Sequence, residues 1–160
     1  MSATTQTTNT TDRPLDTETA ALLRTAIGRL ARRLRTTAAA REAGLTPTAI
    51  SVLLTVARTA PIRMSELAES ERINPTMLSR VIGGLVDKGL LDRANDADDR
   101  RAAWVTITRQ GRRLTERIKS ERTEAVNGAM GALSPDERRR IERALPALEA
   151  LAEELAGARS

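Results

Sequence analysis

The chain has 160 residues, a formal net charge of +5 and a sequence pI near 11.0; 40% of its residues are hydrophobic, with Trp104 the only aromatic. The absence of Cys and His excludes disulfides, thiol redox sensing, Cys/His zinc sites and Ser-His or Cys-His catalysis, and calls for no metal or cofactor. No apolar run is long enough to span a bilayer and the N-terminus lacks the apolar core of a signal peptide, so the chain reads as cytoplasmic, without a membrane partner, and its basic balance points to a polyanion such as double-stranded DNA.

Only Lys88 and Lys119 are lysines, so a general preference for arginine accounts for the charge equally well and placement has to decide. Residues 1–15 are Thr-rich and almost free of apolar side chains, which predicts a disordered tail. Over residues 16–44, Leu23, Ile27, Leu30 and Leu34 recur on one helical stripe, and Gly44 suits the end of that helix. In "LTPTAISVLLTVART", Thr46 is a natural N-cap, Pro47 fits the first helical position, and Ile50, Leu53, Leu54 and Ala57 make the buried side. Pro61 stops that helix, and "IRM" reads as a very short strand.

A short helix follows with Ser65 as N-cap and Leu67 and Ala68 inward; a tight turn at Glu71 and Arg72 leads into "NPTMLSRVIGGLVDKG", with Asn74 as N-cap and Pro75 first. Two short helices joined this way are a helix-turn-helix candidate. Residues 90–93 and 102–108 then read as two strands around the charged loop "ANDADDRR", a hairpin suited to a wing. On the second strand Trp104 and Thr106 face one side, Val105 and Ile107 the other. The last third is helical: Thr108 caps a helix to about residue 130, "SPDE" supplies a capping box at Ser134 and Glu137, and Ile141, Leu145, Leu148 and Leu155 keep the helical period. Pro146 inside that run predicts a kink or two shorter segments.

The helix that begins at Pro75 carries the functional signal. With Leu78, Ile82, Leu85 and Val81 inward, Thr76, Arg80, Gly83, Gly84 and Asp87 face outward, flanked by Met77 and Ser79. Thr76 and Ser79 can bond phosphates or base edges, and Arg80 can make a bidentate contact to guanine. Each glycine costs about 1 kcal/mol against Ala in a helix interior, which is accounted for if a duplex backbone comes close. Their being tolerated surface positions is the plainer alternative. At the wing, Arg100 and Arg101 lie beside Asp96, Asp98 and Asp99: local charge pairing is one reading, and an arginine reaching into a minor groove while an aspartate orients its neighbour is the other.

Taken together, "LTPTAISVLL", "MSELAESERINPTMLSRVIGGLVDKGLL" and "DADDRRAAWVTITRQG" resemble the MarR family of bacterial winged-helix transcription regulators, from about residue 45 to residue 111. The last segment is similar to that family's wing signature, Asp-x-x-Asp-Arg-Arg, a strand, then Thr-x-x-Gly. The resemblance implies a mainly α fold with a small β-hairpin wing: a winged helix-turn-helix lobe over residues 45–108, flanked by dimerisation helices over residues 16–44 and 109–157. It implies a homodimer and a sequence-specific regulator, a repressor, on a pseudo-palindromic operator. It places Ser65, Asn74, Pro75, Thr76, Met77, Ser79, Arg80, Arg100 and Arg101 at DNA, with Asp96, Asp98 and Asp99 supporting the wing. It further implies relief by a small aromatic or phenolic effector, with Leu30, Leu34, Ile50, Leu53, Met64 and Trp104 as candidate lining residues; plain core packing is the alternative for each. Two features depart from the family pattern. Many members carry an acid where this chain has Gly83, able to pair with a wing arginine, and Pro146 interrupts the final helix.

Two other readings compete: a low-specificity architectural DNA-binding protein, and an adaptor that uses the winged helix to dock a protein. Their specificity ratio and duplex affinity, respectively, tell them apart from a regulator. An enzyme is not expected, since no acid-base pair and no Gly-rich phosphate loop stands out.

Overall fold

Local capping sets most of the element boundaries in the computed structural model, which describes residues 17–95 and 103–157. The order is α1 (Thr17–Leu34), α2 (Ala38–Glu42), α3 (Pro47–Thr59), β1 (Ile62–Arg63), α4 (Met64–Glu71), α5 (Pro75–Asp87), β2 (Leu91–Asn95), β3 (Ala103–Ile107), α6 (Arg109–Gly131) and α7 (Pro135–Gly157). The hydroxyls of Thr46 and Thr108 accept the N–H groups of Ala49 at 3.2 Å and Gly111 at 2.9 Å, as N-caps do. Before α7, Ser134 N–H donates to Glu137 Oε2 at 2.9 Å and Glu137 N–H to Ser134 Oγ at 3.3 Å, the expected reciprocal box. The Ser134 hydroxyl, and after it the Ser134 backbone, hold the Glu137 carboxyl below its ordinary pKa.

The chain divides into two units at Thr36 and Thr37. In the first, α1 buries none of its residues, and Leu22, Leu23, Ile27 and Leu30 stand exposed along it. In the second, β3 is central in an antiparallel sheet of order β1-β3-β2, with Ile62 opposite Val105 and Leu91 opposite Ile107. One core unites Val52, Leu53 and Val56 of α3, Leu67 of α4, Leu78, Ile82 and Leu85 of α5, Val105 of β3 and Ile118 of α6. The second half of α6 and all of α7 leave apolar side chains outside it: Val126, Ile141, Leu145, Leu148 and Leu155 are exposed.

Several expectations need correction. Residues 16–44 are two helices, not one, because Thr37 is extended and buried. Its hydroxyl accepts the Ala40 N–H at 3.2 Å, and Glu121 of α6 accepts the Ala39 N–H with both carboxylate oxygens at 3.1 Å. Arg63, not Ser65, is the N-cap of α4: the short strand β1 runs straight into the helix, and Glu66 accepts the Arg63 N–H at 3.4 Å. Ser65 is exposed within the first turn. The buried side of α3 is Ile50, Val52, Leu53 and Val56, with Leu54 and Ala57 only half-buried, because α3 packs against α5, α6 and the sheet at once. The hairpin strands lie one to two residues from their expected ends and gain β1 as a third partner. α7 continues as one helix through Pro146 rather than splitting, at the loss of a single backbone donor.

Candidate nucleic-acid interface

The turn between α4 and α5 fixes how α5 is presented. α4 ends with Arg72 in the left-handed region, φ +53°; the N–H of Arg72 reaches the Glu69 carbonyl at 3.1 Å and that of Ile73 reaches Ala68 at 3.1 Å. This is the usual way to satisfy a helix's last carbonyls, here without the glycine that such a φ favours. Ile73 then packs against the core, and the Thr55 hydroxyl of α3 donates to the Glu71 carboxylate, pinning the last turn of α4. α5 starts one residue later, where Asn74 Oδ1 accepts the Met77 N–H at 2.8 Å and Pro75 occupies the first position.

Because Leu78, Ile82 and Leu85 are buried, the opposite face of α5 is free, as the helical period predicts. Asn74, Pro75, Thr76, Met77, Ser79, Arg80, Gly84 and Asp87 are exposed, and Gly83 is half-buried. The remaining unpaired N–H groups and the positive end of the helix dipole lie at the same end as Thr76. Among the described residues a Cβ built at Gly83 or Gly84 meets nothing within 4 Å, so none of them demands either glycine. Alanine at both positions is therefore expected to raise unfolding free energy by about 1 kcal/mol per site and to weaken duplex binding if a phosphate backbone approaches there. Denaturant melts and duplex titrations on the double variant read the two effects separately; greater stability with undiminished affinity would remove the close-approach explanation.

The sheet supports the base of the expected wing. Its strands pair as far as Asn95 opposite Ala103. Val105 and Ile107 enter the core, while Trp104 is half-buried and Thr106 exposed on the other face. The Arg63 guanidinium lies 5.0 Å from the Trp104 ring centroid, a cation–π contact that ties β1 to β3. Asp96, Asp98, Asp99, Arg100 and Arg101 lie outside the described residues.

The six residues expected to line an effector pocket are not brought together within the second unit. Ile50 and Leu53 are core, 4% and 0% exposed; Met64 packs on that core, and Trp104 faces away from it. Leu30 and Leu34 belong to α1, where Leu30 is exposed and Leu34 half-buried. The Thr55–Glu71 bond spans 16 residues and the left-handed residue at Arg72 is not a glycine, so no sequence signal marks either. Among the described residues no cluster of Asp and Glu could hold a metal ion, and no helix is long and apolar enough to cross a membrane.

The family model for the MarR family matches residues 45–103. An uncharacterised HTH-type transcriptional regulator of Mycobacterium bovis is 30% identical over 139 residues, which span 87% of this chain and 96% of that protein. Among solved structures, a putative transcriptional regulator from Pseudomonas aeruginosa matches with a TM-score of 0.73 and 31% identity, over 88% of this chain and 98% of its own. A mutant of the Staphylococcus aureus regulator MepR, bound to an oligodeoxyribonucleotide, shares the fold with a TM-score of 0.62 at 18% identity, over 84% and 97% of the two chains.

Proposed function

The chain belongs to the MarR family of winged-helix transcription regulators, DNA-binding proteins rather than enzymes, and from that premise we propose that it works in the cytoplasm as a homodimeric repressor. In this reading α5 enters the major groove of a pseudo-palindromic operator and the wing enters the adjacent minor groove. The observation that carries it is the free face of α5: Thr76, Ser79 and Arg80 are exposed on a helix whose other side is locked into the core. Arg80 reads a base, Thr76 and Ser79 bond phosphate or base edges, and Arg100 and Arg101 serve the minor groove with Asp96, Asp98 and Asp99 beside them. Ser65, Asn74, Pro75 and Met77 complete the surface presented to the duplex.

Dimerisation is supported by the apolar rows left uncovered. Leu22 and Leu30 are 65% and 64% exposed on α1, and Leu145 and Leu155 are 50% and 48% exposed on α7. Side chains of that size at helical spacing are normally covered, and a second copy supplies matching rows. A dimer would set two α5 helices against half-sites about 34 Å apart, one turn of the duplex. Relief by a small-molecule effector completes the proposal.

The test is selection of bound sequences from a random duplex library at near-physiological salt. An enriched palindrome with half-sites about one turn apart is the expected result. Binding without enrichment would favour an architectural role, and no binding at all would favour a protein-docking one. Transcription in vitro from a promoter carrying the selected site then gives the sign of regulation, with reduced transcript expected.

A further inference from the structure

A cleft of about 550 Å³ lies where α2, the end of α5 and the first turns of α6 meet, a size that suits a small ligand. None of the six residues expected to line an effector pocket is part of it. Its floor is apolar: Ala39, Leu90 and Leu114 are buried members of the core. Its rim is polar, formed by Glu42 at the end of α2, Lys88 at the C-cap of α5, and Gln110, Arg113 and Arg117 on α6.

The charges on that rim do not balance. Arg117 Nη2 donates to Glu42 Oε2 at 3.0 Å, so one cation is matched. Among the described residues neither Lys88 nor Arg113 has a carboxylate partner. α6 adds to the imbalance. Its first turn contains no acid, and Arg109, Arg112 and Arg113 crowd the end where the helix dipole is already positive. A bound anion would relieve an arrangement that an isolated helix disfavours.

We infer that this cleft binds a small organic dianion with an apolar body, a phosphomonoester or a dicarboxylate. Lys88 and Arg113 hold its two charges, the Gln110 amide adds a hydrogen bond, and the apolar body lies on Leu90 and Leu114. Arg117, held by Glu42, sets the edge of the site. Lys88 closes the helix proposed to read DNA, while Arg113 stands on α6, so an occupant joins the end of α5 to α6. This regulatory consequence rests on the proposed function; the binding itself does not.

Calorimetric titration of the full-length protein with phenyl phosphate and phenylsuccinate, against benzoate and sulfate at matched ionic strength, tests it directly. One of the two dianions is expected to bind about tenfold or more tighter than benzoate or sulfate, and which one identifies the headgroup. The double variant Lys88→Ala, Arg113→Ala is expected to lose that preference, with Lys88→Gln intermediate and Arg139→Ala, on α7 outside the cleft, unchanged. Equal affinity for benzoate and the dianions, or undiminished dianion binding by a folded double variant, would overturn the inference. If the double variant fails to fold, the same readings on Lys88→Gln decide it. A duplex titration run alongside separates the two readings. Dianion binding by a protein that never binds duplex would refute the proposed function and leave the cleft standing. Loss of duplex affinity in the double variant, with no dianion bound by the parent, would make the rim a phosphate-backbone contact and refute the cleft.

Discussion

Replacing Gly111 by alanine is expected to destabilise the second unit by about 3 kcal/mol, since overpacking that cannot relax reaches this size. A Cβ at Gly111 would stand 2.1 Å from the Leu90 carbonyl oxygen and 2.9 Å from Ile107 Cγ1. The carbonyl cannot easily retreat, because it accepts the Thr108 N–H at 3.2 Å and lies 3.1 Å from the Thr108 hydroxyl, whose one proton is shared with the Gly89 carbonyl at 2.7 Å. Thr108 in turn caps α6 by accepting the Gly111 N–H, so threonine and glycine three residues apart form one device: the threonine closes the helix start and the glycine lets it seat on the end of the α5–β2 connection. Against a total of about 5–15 kcal/mol for a domain, the loss is large. Urea unfolding should show a lower midpoint with an unchanged slope. Alanine at Gly131, where a Cβ meets nothing within 4 Å, is the control expected to lose nothing. A Gly111→Ala variant as stable as the parent would mean that the contact relaxes freely.

What could be read in advance follows from how local each interaction is. Thr46, Asn74, Thr108 and Ser134 act within three residues of themselves, and all four bond as their spacing predicts. The inward stripe of α5 obeys the helical period, so its outward face was equally legible. The break before α2 was not, because Glu121 lies 82 residues from the Ala39 N–H that it satisfies. Ser65 was a reasonable cap by residue type; the pairing of Ile62 with Val105 instead sets where α4 begins. The Thr-x-x-Gly spacing was visible, while the Leu90 carbonyl that makes its glycine necessary emerges only once β2 and α6 are packed. The cleft beside Lys88 draws on residues from 39 to 117, and no window of sequence contains it.

The largest effect expected in binding is on salt. If each bound dimer neutralises about six to ten phosphates, specific affinity should fall by about 10³–10⁵ between about 50 and 200 mM monovalent salt. The slope separates the duties of the exposed side chains on α5. Thr76 and Ser79 carry no charge, so they position or specify without displacing counterions. Arg80 could do either, and the same titration on Arg80→Ala decides between them. A base contact predicts a loss of about 1–3 kcal/mol per half-site on the selected operator, little change on random duplex, and an unaltered slope. A phosphate contact predicts a similar loss on both duplexes and a slope shallower by about 0.9 for each arginine removed. The position of Arg80, two residues before Ile82 on a helix whose buried side is fixed, aims it away from the core along with Thr76 and Ser79. That is where a major-groove edge would lie if α5 enters the groove, so the base-reading outcome is expected. Equal losses on operator and random duplex would reassign Arg80 to the backbone and leave base recognition to Thr76 and Ser79.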